Sequence, residues 1–512
     1  MNKPPSEFLR LGQAAIQKKN LPEAVHWFEK AAKDTPKDPQ TLACLGQALC
    51  WQGQRKEGLT YLRQSGQLLL KKARKSRDVN LTLDLADQLQ HWNDYQGAAE
   101  LCKQVLQISP DVVRGYQLLS LSHSRLNQKK PALAAGRQAL KLAPDSAMLA
   151  ILLSTLEIAD GQLESAQQRL KKTLQFSILK PEEKFRAHKE LGRVLDKLGL
   201  YDEVFTHLHA AGEVATRLPE VQKQDAQLVP KMLETSKAEF DQALLSRWSD
   251  QVFPVEQPAP VFLLGFMRTG TTLTQEVLDA HPDVFVADET DLVSSVVLEL
   301  QRMSNYQGSV PQMLKSLDFD GVLYLRGYYW QRVRALFGDK IEGRLFLDKT
   351  TMNSIDLGLI NCLFPDAKLV FLLRDPRDVC LSCFMQTMIP TPSTVQLLTW
   401  DSTARFYAQV MDWWATVKPK LSMAYMEFRY EDAVFDFETA FRQVFDFIGL
   451  EWNPNVSDFH KNAAGKFIAS PSFSQVAQPL YSSSVGRWKH YHSEYPAIAG
   501  HLQPFLEAYG YQ

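Results

Sequence analysis

The sequence predicts two folds in one chain: an N-terminal all-α array of helix pairs, then an α/β domain built on a central parallel sheet. Three observations carry this reading. A 34-residue period runs through the first two hundred residues. The run Val261 to Thr272, VFLLGFMRTGTT, passes from five apolar residues into a glycine-bounded loop and paired threonines. Lys368 to Arg374, KLVFLLR, makes a second strand-like run, followed by the helix start DPRDVCLSCFMQ.

The repeats come first. Leu11-Gly12 recurs as Leu45-Gly46, and Glu23-Ala24 as Glu57-Gly58. Leu85-Ala86, Leu119-Ser120 and Leu153-Ser154 keep the step, as do Ala98, Ala132 and Ala166, and Leu106, Leu140 and Leu174. Pro36, Pro110 and Pro144 close units, and a sixth copy, offset by an insertion, carries Leu191-Gly192 and Val204. This is the tetratricopeptide period, with small residues where antiparallel helices must approach closely. About six units over residues 1–212 predict a solenoid with a concave groove. Two roles stay open for it: a helical spacer or dimerisation arm, or a groove for a peptide or protein partner. Residues 213–254 keep a helical pattern but leave the register, which marks a helical linker. Pro254, Pro258 and Pro260 interrupt helix before Val261, so the α/β domain spans 255–512.

Within VFLLGFMRTGTT, a short apolar run reads as a buried strand. Leu273, Val277 and Leu278 then share one face of a helix. Strand, glycine loop and helix N-terminus form an anion site in which backbone N–H groups and the helix dipole converge on a phosphate. Gly265 and Gly270 fit the phosphate-loop pattern G-x-x-x-x-G-K-[ST] with one break: Thr271 stands where the pattern has lysine, and the nearest cation is Arg268 inside the loop.

In the second unit, Val379, Leu381 and Phe384 fit the start of a buried helix, with Asp375 and Pro376 at its N-terminus. Arg374 leaves the carboxyl end of a strand, where open α/β sheets bind ligands. With Ser382 eight residues on, guanidinium and hydroxyl can hold one phosphate from two sides. A surface pairing of Arg374 and Arg377 with Asp375 or Asp378 is the competing reading. LFLDKT places Lys349 near another strand end, before an amphipathic helix SIDLGLINCLFPDA. FRYEDA offers Tyr430 at a strand end, and QPLYSSSVGRWKHY is a polar, basic loop that either covers a nucleotide or lies in solvent.

Composition narrows the class. Lysine plus arginine number 57 against 58 aspartate plus glutamate, so nothing global favours nucleic acid. MNKPPSEFLRLGQ has no apolar core of a signal peptide, and no apolar run approaches the roughly 20 residues that span a bilayer. Six scattered cysteines suit a reducing, cytoplasmic setting. Cys380 and Cys383 form a C-x-x-C without a second Cys/His pair at zinc spacing, so they read as packing.

These motifs resemble those of sulfotransferases that use 3′-phosphoadenosine 5′-phosphosulfate (PAPS). GFMRTGTT resembles the 5′-phosphosulfate loop, and RDPRDVCLS the 3′-phosphate motif with its arginine and its serine eight residues on. The order completed by ADET, DKT, RYEDA and SSSVGRW is similar to bacterial tetratricopeptide-sulfotransferases and, more distantly, to tyrosylprotein sulfotransferases, over about residues 255–505. The fold implied is a phosphate-loop-like sulfotransferase domain behind a tetratricopeptide solenoid.

The resemblance implies that Arg268 stabilises the bridging oxygen while Thr269, Gly270, Thr271 and Thr272 wrap the 5′-phosphate. Arg374 and Ser382 would bind the 3′-phosphate. Lys349 and Ser484 match positions that neutralise charge near the transferring group, and Tyr430 and Arg487 match nucleotide contacts. PAPS is the implied co-substrate, with no metal required. The implied base is Glu289, 21 residues after Arg268, where a dry pocket would sharpen it as a proton acceptor. Rivals are His281, whose His-Pro pair reads as a helix terminator, and a capping role for Asp288 or Glu289. The tyrosylprotein family has a basic residue where this chain has Asp291. The acceptor therefore stays open between a protein tyrosine, a sugar and a small molecule. Phe384, Trp400, Phe406, Tyr407, Trp413 and Trp414 either line its cleft or, as their helical spacing favours, pack the core. A phosphate-loop kinase or NTPase and a tetratricopeptide scaffold with an inactive transferase domain are the alternative functions.

Overall fold

The computed structural model describes residues 7–463 and 482–511. The chain divides into two compact units, Met1–Leu198 and Gly199–Gln512.

The first unit is a row of antiparallel helices from Glu7–Gln17 to Pro181–Lys197, paired as tetratricopeptide repeats. The turn inside each pair carries a left-handed residue: Lys19, Gly53, Asn93, Asn127 and Gly161. These turns step by 34, 40, 34 and 34 residues. The long step has a local cause, because the helix Arg55–Ser76 runs 22 residues where its counterpart Tyr95–Ile108 runs 14. Close helix approach explains the small residues. A Cβ on Gly46 would sit 2.7 Å from the Gly58 carbonyl oxygen, and one on Gly58 would sit 2.5 Å from that of Gly46. Side-chain caps on Asn20, Asp38, Asp94 and Ser146 satisfy orphan N–H groups at helix starts.

The division at Leu198 falls inside the sixth copy, earlier than the expected 212. Its second helix, Tyr201–Ala215, belongs to the second unit for an aromatic reason. The Phe205 ring lies 5.7 Å from Phe384, 5.2 Å from Trp400 and 5.4 Å from Tyr491, and Tyr201 stacks on His490 at 4.2 Å. The stretch expected to be a linker is also packed there: Phe240 meets Trp413 at 5.8 Å, and Asn361 Nδ2 donates to the Leu245 carbonyl at 2.8 Å.

Among its described residues the second unit holds five parallel strands: β1 (Val261–Gly265), β2 (Val284–Asp288), β3 (Leu345–Lys349), β4 (Lys368–Leu373) and β5 (Ala424–Arg429), in the order β2-β3-β1-β4-β5. Alternating side chains divide the core. Val261, Leu263, Val370 and Leu372 join Leu273, Val277, Phe441 and Phe445 from the helices Thr271–Asp279 and Phe437–Ile448. On the opposite face Phe371 stacks on Trp414 at 3.9 Å and Phe262 meets Phe364 at 5.7 Å. Phe384, Trp400, Phe406, Tyr407, Trp413 and Trp414 are all buried, as core packing requires, and Trp400 also lines a small cavity with Leu381 and Trp488. SIDLGLINCLFPDA departs from expectation: its helix, Leu357–Leu363, is buried on every side rather than amphipathic. Strand β2 escaped the sequence reading, although VFVA is a β-branched and aromatic run.

Candidate functional site

Every strand of the sheet ends in a candidate residue. The loop 266–270 follows β1, Glu289 follows β2, Lys349 closes β3, Arg374 follows β4 and Tyr430 follows β5. Parallel strands aim their carboxyl ends one way, so five separate sequence segments meet at one edge.

The β1 loop closes on itself at Thr269, whose N–H and hydroxyl both donate to the Phe266 carbonyl, at 3.3 and 2.7 Å. Thr269 thus forms the turn, and its side chain is not among the groups facing outward. Gly270 caps the helix Thr271–Asp279 with φ +104°, and a Cβ there would lie 2.5 Å from Tyr430 Cδ2. The phenol ring therefore packs directly on the loop backbone. Arg268 has φ +69° and Glu289 φ +47°. Non-glycine residues held in this region cost about 1–3 kcal/mol each, and such strain clusters at functional sites.

Arg268 Nε donates to Ser382 Oγ at 3.0 Å. Arg374 donates through Nη1 to the Arg268 carbonyl at 3.0 Å and through Nη2 to the Ser484 carbonyl at 2.6 Å. Its guanidinium lies 4.5 Å from the Tyr430 ring centroid, and the Tyr430 hydroxyl is 2.7 Å from Ser484 Oγ. The buried Nε of Arg374 has no hydrogen-bond partner among the described residues. Arg268, Ser382, Arg374, Tyr430 and Ser484 thus form one cluster. Of the competing pairings, Arg377 does bond Asp375 at 2.7 Å, but in a buried pair rather than at the surface.

The loop Ser482–Gly486 is pinned at its C-terminal end, while Ser482 and Ser483 are exposed. Asp378 accepts the N–H groups of Gly486 and Trp488 at 2.6 and 2.8 Å, and Arg377 sits 3.7 Å over the Trp488 ring. Burial pushes the Asp378 carboxyl upward, opposed by the nearby Arg374 charge and these backbone donors. From sequence Asp378 offered only an arginine pairing and not this loop anchor, because nothing in RDPRD distinguishes it from an ordinary first-turn acid. Arg487 follows at the next turn, its Nη2 lying 3.0 Å from Met385 Sδ. The first residues of QPLYSSSVGRWKHY, 478–481, lie outside the described residues.

A second cluster forms around Lys349. Its ammonium donates to Glu289 Oε1 at 2.7 Å and to Asp288 Oδ1 at 3.0 Å. Thr351 Oγ1 donates to the same Glu289 oxygen at 3.3 Å and lies 2.9 Å from Thr271 Oγ1. Lys349 from β3 is so connected to the helix start whose phosphate-loop lysine is replaced by Thr271. The dry pocket expected around Glu289 is not found. Its side chain is 38% exposed, against 1% for Lys349, because it lies at the open end of the strands. Neither Asp288 nor Glu289 caps the next helix, Leu292–Met303, whose N-cap is Asp291. The rival His281 has both ring nitrogens engaged: Nδ1 accepts the Asp283 N–H at 3.2 Å, and Nε2 lies 3.1 Å from the Glu451 carbonyl.

Sequence reasoning also passed over Asp348. Its fully buried carboxyl accepts the Tyr329 hydroxyl at 2.8 Å. Burial, helped by the charge of Glu289 and opposed by that hydrogen bond, pushes it up to about 7. Cys380 and Cys383 are buried free thiols, and Cys383 Sγ lies 3.6 Å from the Met267 carbonyl. Among the described residues no helix is long and apolar enough to cross a membrane, and no group of three or more His, Cys, Asp or Glu is placed to hold a metal ion.

Comparison with known proteins bears on the same segment. Residues 260–454 match the model of the sulfotransferase family. The chain is 28% identical over 349 residues to an uncharacterized protein of Aquifex aeolicus, an alignment covering 66% of this chain and 44% of that protein. It is 24% identical over 271 residues to protein-tyrosine sulfotransferase 2 of Gallus gallus, covering 49% of this chain and 69% of the chicken protein. The sulfotransferase domain of the Synechococcus PCC 7002 olefin synthase aligns over 47% of this chain and 89% of its own, with 20% identity and a TM-score of 0.32. The chain thus spans less than half the length of its Aquifex relative. With its five-stranded parallel sheet and the loops gathered at the strand ends, the C-terminal half of this chain carries a sulfotransferase-family domain.

Proposed function

We propose that this domain moves a sulfuryl group from PAPS to a hydroxyl acceptor. The observation that carries the reading is the delivery of loop 266–270, Glu289, Lys349, Arg374 and Tyr430 from five strand ends to one edge. The donor set fits a nucleotide with phosphates at both ends of its ribose. Arg268 and the first amides of the helix Thr271–Asp279 would hold the 5′ side, since a helix leaves its first N–H groups without intrahelical partners. Arg374 and Ser382 would hold the 3′-phosphate, and the buried Arg374 Nε marks a donor with no acceptor among the described residues. Tyr430 and the loop at Ser484 and Arg487 would cover the nucleotide.

When bound, PAPS supplies the activated sulfuryl group. The chain's own groups orient and neutralise. Arg268, permanently charged, stabilises negative charge electrostatically, and Lys349 and Ser484 add to that at the transferring end. Glu289 receives the proton of the acceptor hydroxyl. A kinase reading lacks its loop lysine at Thr271, and an inactive scaffold would not need Arg268, Glu289, Arg374 and Ser382 together at the strand ends. Protein-tyrosine sulfotransferases among the relatives make a protein tyrosine the first acceptor class to test, with sugars and small phenols beside it. The repeats would present a partner or the acceptor, and six free cysteines fit a cytoplasmic setting.

The test is incubation with sulfur-35-labelled PAPS and a cell extract. Wild type should label a species that Arg268→Ala and Glu289→Ala do not, while Glu289→Ala keeps its affinity for adenosine 3′,5′-bisphosphate. Equal labelling by Glu289→Ala would remove it as the base.

A further inference from the structure

We propose that Thr351 is a positioning residue for Glu289 and that it, with Lys349, selects Oε2 of that carboxylate as the proton-accepting oxygen. The inference rests on the transferase reading above. Its first support is convergence. Lys349 Nζ and Thr351 Oγ1 both donate to Oε1, at 2.7 and 3.3 Å. No described residue donates to Oε2, and the side chain is 38% exposed. One oxygen is therefore saturated by protein donors, and the other is left for whatever enters from solvent.

The second support is the backbone. Glu289, at φ +47°, needs neighbours that over-determine its conformation. Its N–H donates to the Lys349 carbonyl at 2.8 Å. The next N–H, of Thr290, donates to Thr350 Oγ1 at 3.1 Å, and that hydroxyl returns a bond to the Thr290 carbonyl at 3.2 Å. Residues 349–351 thus grip residues 289–290 at backbone and side chain alike, so the carboxylate has little freedom to rotate.

The third is direction. A carboxylate only accepts, so the Thr351 proton points at Glu289. The Thr271 hydroxyl, 2.9 Å away, must then donate to Thr351. The chain runs Thr271 to Thr351 to Glu289, and both threonines are buried. Bonds aligned in this sense strengthen one another in a low-dielectric setting. It also follows that Thr271 offers a phosphate its backbone N–H rather than its hydroxyl. During transfer the new S–O bond forms at the acceptor oxygen, the bond to the bridging oxygen of the donor breaks, and the acceptor proton passes to Oε2.

Thr351→Val removes the hydroxyl at nearly constant volume, and Thr351→Ser restores it. With sulfur-35-labelled PAPS and a fixed cell extract, Thr351→Val should lower the maximal rate about 10- to 100-fold, the scale of a lost hydrogen bond to a charged group. The KM for PAPS and the calorimetric affinity for adenosine 3′,5′-bisphosphate should stay within twofold of wild type, and Thr351→Ser should recover the rate. In a Glu289→Gln background Thr351→Val should cost nothing more, because the two act as a unit. An unchanged rate in Thr351→Val, or additive losses in the double variant, would overturn the proposal. If Thr351→Val fails to fold, the crystal structure of Thr351→Ser decides: Glu289 Oε1 must still face position 351. Failure of wild type to bind adenosine 3′,5′-bisphosphate would instead strike the transferase reading itself.

Discussion

Ser382 Oγ accepts the Nε–H of Arg268 at 3.0 Å, so the arginine of the β1 loop is held by the serine of the helix that follows β4. The two sites inferred separately from sequence are one hydrogen-bonded structure. Ser382→Ala should therefore damage both functions: weaker binding of adenosine 3′,5′-bisphosphate and a lower rate of label transfer from PAPS. A hydrogen bond to a charged group contributes about 1.5–3 kcal/mol, or roughly 10- to 100-fold. Loss of affinity with an unchanged rate at saturating PAPS would show that Ser382 does not position Arg268.

Asp348 should make stability depend on pH in the direction opposite to a surface carboxylate. Its folded-state pKa is pushed up to about 7 from the ordinary 3.8. Between those values the folded protein keeps a proton that the unfolded chain has released, so stability falls as pH rises through this window. Asp348→Asn stays neutral and still offers Tyr329 an acceptor. Its melting temperature should therefore exceed that of wild type by a margin growing from about pH 4 to about pH 7 and level thereafter. A margin independent of pH would contradict the buried-acid account.

Gly270→Ala tests the contact between loop and phenol. The new Cβ would meet Tyr430 Cδ2 at 2.5 Å at a φ of +104°, and left-handed backbone alone costs roughly 1–2 kcal/mol. Both the melting temperature and the affinity for adenosine 3′,5′-bisphosphate should drop. Gly53→Ala is the control: φ is +92° with nothing within 4 Å, so stability should fall while affinity holds. Equal affinity in Gly270→Ala would separate Tyr430 from the nucleotide site.

The repeats were legible because each residue type answers to a local need. Gly46 and Gly58 permit helix contact, and the left-handed turns recur in register. Strands β1 and β4 were legible as unbroken apolar runs, which follows from burial on both faces. Edge strand β2 was not, since its burial is partial. At the site, Arg268, Lys349, Arg374 and Tyr430 stood beside recognisable strand ends. Asp378, Thr351 and Asp348 did not stand out, because their partners Gly486, Glu289 and Tyr329 lie 108, 62 and 19 residues away. The dry pocket around Glu289 failed for a related reason: exposure at a strand end is set by the tertiary arrangement, which residue type does not report. The helix Tyr201–Ala215 kept the repeat pattern, yet its Phe205 packs among Phe384, Trp400 and Tyr491.

The donors gathered at the strand ends suit a nucleotide phosphorylated at both ends of its ribose. Titration calorimetry of wild type and Arg374→Ala with adenosine 3′,5′-bisphosphate, and with ATP plus magnesium, tests this directly. Wild type should bind the bisphosphate at least about tenfold more tightly than ATP–magnesium, the scale of one charge-assisted contact, and Arg374→Ala should lose that preference. Tighter binding of ATP–magnesium by wild type, or a preference untouched by Arg374→Ala, would contradict the account.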